Sequence, residues 1–89
     1  MSSTIASVCA TAMDKEGVFG VTCVDAQGLC LHSVGKVPDA TAGAVAAIAA
    51  QGKTLMGDDA VVTIESPQGK VLLSRCEGAT VAMFMQPKA

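Results

Sequence analysis

The sequence predicts a single α+β domain, residues 1–89, with the element order α-β-β-α-β-β-β. Two segments have helical character, five short segments are apolar and β-like, and turn residues separate them. A chain of 89 residues has the length of one domain. Its composition is 51% hydrophobic and 16% charged, which excludes a disordered chain. Because the apolar fraction is high for so small a domain, part of the surface is expected to meet another subunit.

The first helix is predicted over residues 3–14, and two strands follow it. Apolar side chains recur in the helix at spacings of three and four, the pattern of one face of an amphipathic helix. Strands are predicted at 18–24 and 29–34, joined by the tight turn Asp25-Ala26-Gln27-Gly28. Both strands are apolar at most positions instead of alternating, so burial of both of their faces is predicted.

The second helix is predicted over residues 40–55, with Asp39 as its N-cap residue. It is rich in alanine, the strongest helix former. Small side chains also let a second helix approach its backbone closely. Apolar residues lie along two stripes of this helix, which therefore has more packing surface than one sheet can cover.

Three further strands complete the predicted fold, at 60–66, 71–76 and 79–85. The turn 66–69 between the first two has proline at its second position, the position that proline favours in common β-turns. Glu77-Gly78 form the last turn. The segments follow one another without a linker or an internal repeat, so one compact unit is expected.

The charge pattern excludes several classes of function. The formal net charge is −2, and the six basic residues are scattered singly. Nucleic-acid-binding surfaces and polybasic membrane patches both need clustered basic residues. The longest apolar stretch, 42–50, is too short to span a bilayer. A signal peptide begins with a basic segment, and here no basic residue precedes Lys15. We therefore expect a cytoplasmic protein with no nucleic-acid partner and no direct membrane insertion.

Residues 47–54 match a loose phosphate-loop pattern that ends in Gly-Lys-Thr. A true phosphate loop follows a strand, is rich in glycine and opens a helix at its lysine. Here a helix-forming alanine segment precedes the match, and the residues after it are too few to form a helix. The match is interpreted as coincidental, and no cofactor is expected.

The cysteines and the single histidine give a weaker hypothesis. If Ala26 and Gln27 are the only loop residues of the first hairpin, Cys23 faces Cys30, and His32 lies on the same face. Two thiols and an imidazole could hold a metal, or the two thiols could form a strained cross-strand disulfide, but no fourth metal ligand is evident. A plain buried pair is the simpler interpretation.

Catalytic residues are not evident in the sequence. No Ser or Cys has a recognisable general base, and catalytic carboxylates need burial or close pairing. The acidic residues at helix ends are interpreted as solvated surface charges, so an enzyme is not expected. They are Asp14, Glu16, Asp58 and Asp59.

The element order resembles the roadblock/longin-like family. Four stretches carry the resemblance, in order along the chain: 17–29, 39–50, 64–66 and 77–82. It implies a five-stranded antiparallel sheet with helices packed on it, and dimerisation through the second helix and the third strand. The third helix of full-length roadblock domains is lacking, which implies that part of one sheet face is uncovered.

Within that family, the chain is similar to the small roadblock subunits of the Ragulator complex. Such a subunit is a non-catalytic scaffold that pairs with another small roadblock subunit as a heterodimer. A lipid-anchored scaffold subunit holds the pair on late endosomes and lysosomes. The complex recruits Rag GTPases, and through them the kinase complex mTORC1, in amino-acid sensing. The resemblance implies recruitment to the lysosome surface through these partners.

The partner interface is expected on the second helix and third strand, where six residues face either the chain's own sheet or the partner. A homodimeric roadblock-type regulator of a small GTPase or a motor is the alternative function. A thiol or metal-binding module is a weaker one. The six interface candidates are Val45, Ile48, Ala49, Gly52, Val61 and Thr63.

Overall fold

The computed structural model describes residues 2–38, 41–76 and 78–87 and has the α-β-β-α-β-β-β order that the sequence predicts. Asp39, the predicted N-cap residue, and Glu77 of the last predicted turn lie outside the described residues. The helices and strands are α1 (Ser2–Met13), β1 (Val18–Val24), β2 (Cys30–Gly35), α2 (Ala42–Met56), β3 (Val62–Ser66), β4 (Gly69–Cys76) and β5 (Ala79–Met85).

The five strands form one antiparallel sheet in the order β2-β1-β5-β4-β3. Strand β5 lies in the middle, and nearly all of its residues are buried. The two edges are β2 and β3. The chain therefore builds its closed centre from β1, β5 and β4 and leaves both edge strands open.

Helix α1 covers one face of the sheet. Its apolar stripe, which includes Cys9 and Ala12, packs on Val21, Val81 and Met83 of the two central strands. Alternate residues of the strands point to the opposite face. There α2 packs through Val45 on a second cluster, formed by Val24, Leu73, Ala82 and Phe84. The sheet is thus the middle of three layers, with one helix on each side.

Burial of both strand faces is confirmed for β1 and is wrong for β2. Residues 20–24 of β1 are buried, whereas most of β2 is exposed. The reason is position, because β2 is an edge strand with a single neighbour. Helix α1 packs on one of its faces through Val34, and α2 lies over the other strands.

The predicted pairing of Cys23 with Cys30 is also wrong. Cys23 pairs with His32 and Val24 pairs with Cys30, with a register shift between them. The turn is one residue longer than predicted, because the Asp25 carboxylate accepts hydrogen bonds from the amides of Gln27 and Leu29, each at 2.9 Å. The bulge adds one more residue on β2.

The ends of α2 and β3 differ slightly from the predicted ones. Helix α2 ends at Met56, where the amide of Gly57, with a φ of 91°, donates to the Lys53 carbonyl. The amide of Ala60 then donates to the Gly57 carbonyl in a turn. This turn delays the start of β3 to Val62.

Candidate partner interfaces

The outer side of α2 is the most apolar exposed helix surface in the described chain. Gly43, Ala47 and Ala50 follow one another along it at helical spacing, and all three are exposed. Leu55 and Met56, in the last turn of α2, are 78% and 80% exposed. The outer side of α2 does not contribute to the core of this chain. Contact with water is unfavourable for its apolar side chains.

The edge strand β3 continues this surface. Val61, just before the strand, is 59% exposed, and Ile64 within it is 42% exposed. Strand β3 pairs only with β4, so the backbone groups of its other side are free for another strand. We name the outer side of α2 together with residues 61–66 the α2–β3 surface.

The six interface candidates divide between two roles in the structure. Val45 and Gly52 are buried and face the chain's own sheet. Ile48 and Ala49 are half-buried, while Val61 and Thr63 are exposed at the open edge.

Gly52 has a specific part in this arrangement. A Cβ atom at that position would lie 2.7 Å from the Cγ2 atom of Val62. Glycine therefore lets α2 approach β3 closely, which joins the two elements into one surface. Val45 anchors the same helix among the apolar residues below it.

Sequence reasoning did not identify Leu55, Met56 or Ile64 as exposed residues. At 100° per residue Leu55 lies about 80° and Met56 about 20° around the helix from Val45, so a helical projection of α2 does not predict that either residue is exposed. For Ile64 no sequence signal exists, because its exposure depends on β3 being the edge of the sheet and on where α2 ends.

A groove of about 370 Å³ runs beside α1 on the other face of the sheet. Val8 and Ala12 form its helix wall, and Cys76, Val81 and Met83 form its floor. The helix packs mainly on β1 and β2 and leaves β4 open on this face. Part of one sheet face is therefore uncovered.

The thiols and the imidazole do not come together as one site. The Cys23 Sγ atom lies 3.2 Å from that of Cys9, and burial, followed by this hydrogen bond, raises the pKa of the Cys23 thiol to about 12. Cys30 lies instead beside Thr22, with 3.4 Å between Sγ and Oγ1. Within residues 2–38, 41–76 and 78–87, no three His, Cys, Asp or Glu side chains are arranged to hold a metal ion.

Residues 47–54 lie inside the continuous helix α2. Their backbone amides belong to the helix interior, so they do not form the loop that a phosphate needs. In the part of the chain that the structure describes, no helix is long and apolar enough to cross a membrane.

Solved structures with the same arrangement define the class of fold. MglB of Myxococcus xanthus superimposes with a TM-score of 0.76 at 16% identity, covering 96% of this chain and 71% of that one. A Roadblock/LC7 domain from Streptomyces avermitilis gives a TM-score of 0.73 at 15% identity, covering 92% and 78%. The chain has the Roadblock/LC7 fold.

Sequence comparison gives the family. The model of the family described as Ragulator complex protein LAMTOR5 matches residues 1–85. The LAMTOR5 homolog of Nematostella vectensis is 35% identical over 78 residues, which cover 84% of this chain and 86% of that protein. The Ixodes scapularis homolog is 30% identical over 83 residues, covering 90% and 91%. The chain belongs to the LAMTOR5 family of Ragulator subunits.

Proposed function

We propose that this chain is a non-catalytic scaffold subunit that pairs with another small roadblock subunit through the α2–β3 surface. It would occupy the place of the fifth Ragulator subunit, the protein also called hepatitis-B-virus X-interacting protein. The observation that carries the proposal is the concentration of exposed apolar side chains there. Four of the six large exposed apolar residues of the described chain lie between positions 55 and 64.

The geometry fits a two-part contact. A second strand can add to β3 through backbone hydrogen bonds and so continue the sheet into the partner. At the same time the small residues Gly43, Ala47 and Ala50 let a partner helix lie close to α2. Val61 and Thr63 then lie at the junction between the sheets, and Ile48 and Ala49 flank the helix contact.

The pairing is tested by Ala47→Glu. Ala47 is exposed in the single chain, so the substitution leaves folding intact, but it places an unpaired charge in the helix contact. Loss of the second roadblock subunit from affinity-purified chain is expected. Ala10→Glu is the matched control, because Ala10 is an exposed alanine of α1. Equal recovery of the subunit with both variants would contradict the proposal.

The groove beside α1 supports the second part of the proposal. We assign it to a segment of the lipid-anchored scaffold subunit, which would cover the open face of β4. Through the assembled complex, the chain would help to recruit Rag GTPases and mTORC1 in amino-acid signalling. Its location at the late endosome and lysosome surface would then follow from its partners.

Purification of the tagged chain from its own cells, with mass spectrometry of bound proteins, tests this part. A second roadblock subunit, a lipidated scaffold and Rag-type GTPases are the expected partners. Thr11→Arg, at an exposed position on the groove wall, should lose the scaffold and keep the second roadblock subunit. Recovery of the chain alone, or with motor components, would overturn the Ragulator role.

A homodimer is the second candidate, and one observation favours it. Residues 42–52 of α2 contain no charged side chain, so two copies of α2 could meet there without like charges opposing each other. Sedimentation of the chain alone across a range of concentrations measures this. A stable dimer that Ala47→Glu dissociates would support the homodimeric regulator.

A further inference from the structure

Two thiols from different elements meet beneath α1. Cys9 lies in α1 and Cys23 in β1, and their Sγ atoms are 3.2 Å apart, close enough for one thiol to donate a hydrogen bond to the other. The two residues are 0% and 1% exposed. They belong to an apolar cluster with Val21, Val81 and Met83. Neither thiol lies on the α2–β3 surface.

We propose that Cys9 and Cys23 are an oxidisable dithiol, which a hydroperoxide converts into a disulfide that ties α1 to β1. In the first step one thiol loses its proton, and its sulfur attacks the peroxide oxygen. The O–O bond breaks, which leaves a sulfenic acid and releases water or an alcohol. In the second step the other sulfur displaces the sulfenic hydroxyl group as water, and the S–S bond forms. The two thiols lose two protons and two electrons, which the hydroperoxide accepts.

The positions of the sulfur atoms select this pair. A disulfide bond is about 2.05 Å long, so the sulfurs, now 3.2 Å apart, need to approach by only about 1 Å. Cys30 lies elsewhere, beside Thr22. Cys76 lies on the floor of the groove beside α1.

Burial determines how the pair responds. It raises the pKa of the Cys23 thiol to about 12, and the thiolate is the form that attacks an oxidant. The dithiol is therefore unreactive toward brief exposure to oxidant while α1 is packed on the sheet. It reacts under sustained oxidation, when local opening of α1 admits the peroxide.

The disulfide would change the mechanics of α1. It would close a loop of about 15 residues, from Cys9 to Cys23, and so restrict the unfolded chain more than the folded one. It would also fix the helix wall of the groove, Val8 and Ala12, relative to the sheet. Oxidation would thus lock one wall of the groove in place.

The test uses the full chain with Cys30→Ser and Cys76→Ser, which leaves only the proposed pair. The variant is equilibrated with reduced and oxidised glutathione, both folded and in enough urea to unfold it. The ratio of disulfide to dithiol should be larger in the folded chain by about tenfold or more, because a bond that stabilises the fold is stabilised by it to the same extent. An equal or smaller ratio in the folded chain would overturn the proposal.

Hydrogen peroxide is the probe for the reaction itself. Intact-mass spectrometry of the same variant should show the loss of two hydrogens per chain, with no free thiol left. Adding Cys9→Ala should abolish that loss, so that the only products on Cys23 are oxygen adducts, which peptide mapping separates from methionine sulfoxides. If the serine variant does not fold, unaltered chain with its exposed thiols alkylated replaces it, and peptide mapping after oxidation must find Cys9 joined to Cys23. Cross-links between chains in place of this bond would contradict the assignment.

Discussion

The two helices lie on opposite faces of one sheet, and they differ in how apolar their exposed residues are. Helix α1 packs its single apolar stripe on β1, β2 and β5, and its exposed residues include Ser7 and Thr11 beside the groove, together with Ala10. Helix α2 packs Val45 and Gly52 inward, but its exposed residues are mostly glycine, alanine, leucine and methionine, with Gln51, Lys53 and Thr54 beside them. That second apolar side is the surface proposed for the partner subunit, since an exposed apolar patch on a small domain is typical of an interaction site.

The comparison shows that the apolar residues of a helix do not all belong to the core of the chain. Water contact is unfavourable for an apolar side chain on either helix. On α1 the sheet removes that contact. On α2 the proposed partner would remove it, because the sheet occupies only the inner side. The same physical effect therefore stabilises the fold on one helix and the proposed pairing on the other.

The largest expected effect contrasts the two sides of α2 directly. Leu73 lies in the cluster beneath α2 and is buried, so Leu73→Ala should lower the free energy of unfolding by about 2–5 kcal/mol. Leu55 lies in the exposed last turn of α2, and Leu55→Ala should change it by no more than about 0.5 kcal/mol. Urea denaturation of the isolated chain measures both. Similar losses for both variants would show that the last turn of α2 is packed within the single chain.

A smaller effect on the free energy of unfolding is expected for two glycine substitutions, one on the inner side of α2 and one on its outer side. Gly52→Ala should destabilise the chain by about 1–3 kcal/mol, because its new methyl group meets Val62, and overpacking outweighs the helix propensity that alanine gains. Gly43 is the matched control, since nothing lies within 4 Å of a Cβ there.

Gly43→Ala should leave stability unchanged or raise it by up to about 1 kcal/mol. Thermal unfolding of the two variants beside the unaltered chain provides the measurement. A stabilising Gly52→Ala would mean that α2 has room to move away from β3, and the close contact between these elements would have to be abandoned.

The sequence predicts the central strands well and the edges poorly. The bounds of β1 and β5 are as predicted, 18–24 and 79–85, because glycines and apolar runs delimit them locally. Strand β2 holds His32 and Ser33 beside its apolar residues, and its own composition does not decide how far it is exposed. That exposure results from the place of β2 at the end of the sheet.

The candidate surface is predictable only in outline for a related reason. Sequence reasoning identifies α2 as a helix with two packing sides, but it cannot decide which side Val45 and Gly52 face until the sheet is placed. In the same way, the register of the first hairpin depends on how the Asp25 carboxylate binds two amides. One such side-chain contact moves Cys23 away from Cys30.

The smallest of the three expected effects concerns the covered side of α1. Folding raises the pKa of the Cys23 thiol from 9.0 to about 12, mainly because burial disfavours the thiolate. At pH values between these two, the unfolded chain loses this proton and the folded chain keeps it. The folded chain then binds more protons, so this group's contribution to stability is complete below pH 9 and is lost as pH rises toward 12.

Unfolding free energies measured at about pH 8 and about pH 10 should therefore differ by about 1 kcal/mol more in the unaltered chain than in Cys23→Ala. The comparison of slopes removes the cavity that the substitution creates, because that cost is the same at both pH values. Leu55→Ala, which alters only the exposed last turn of α2, should keep the slope of the unaltered chain. A Cys23→Ala slope equal to that of the unaltered chain would mean that water reaches the thiol, and that α1 does not seal this face of the sheet.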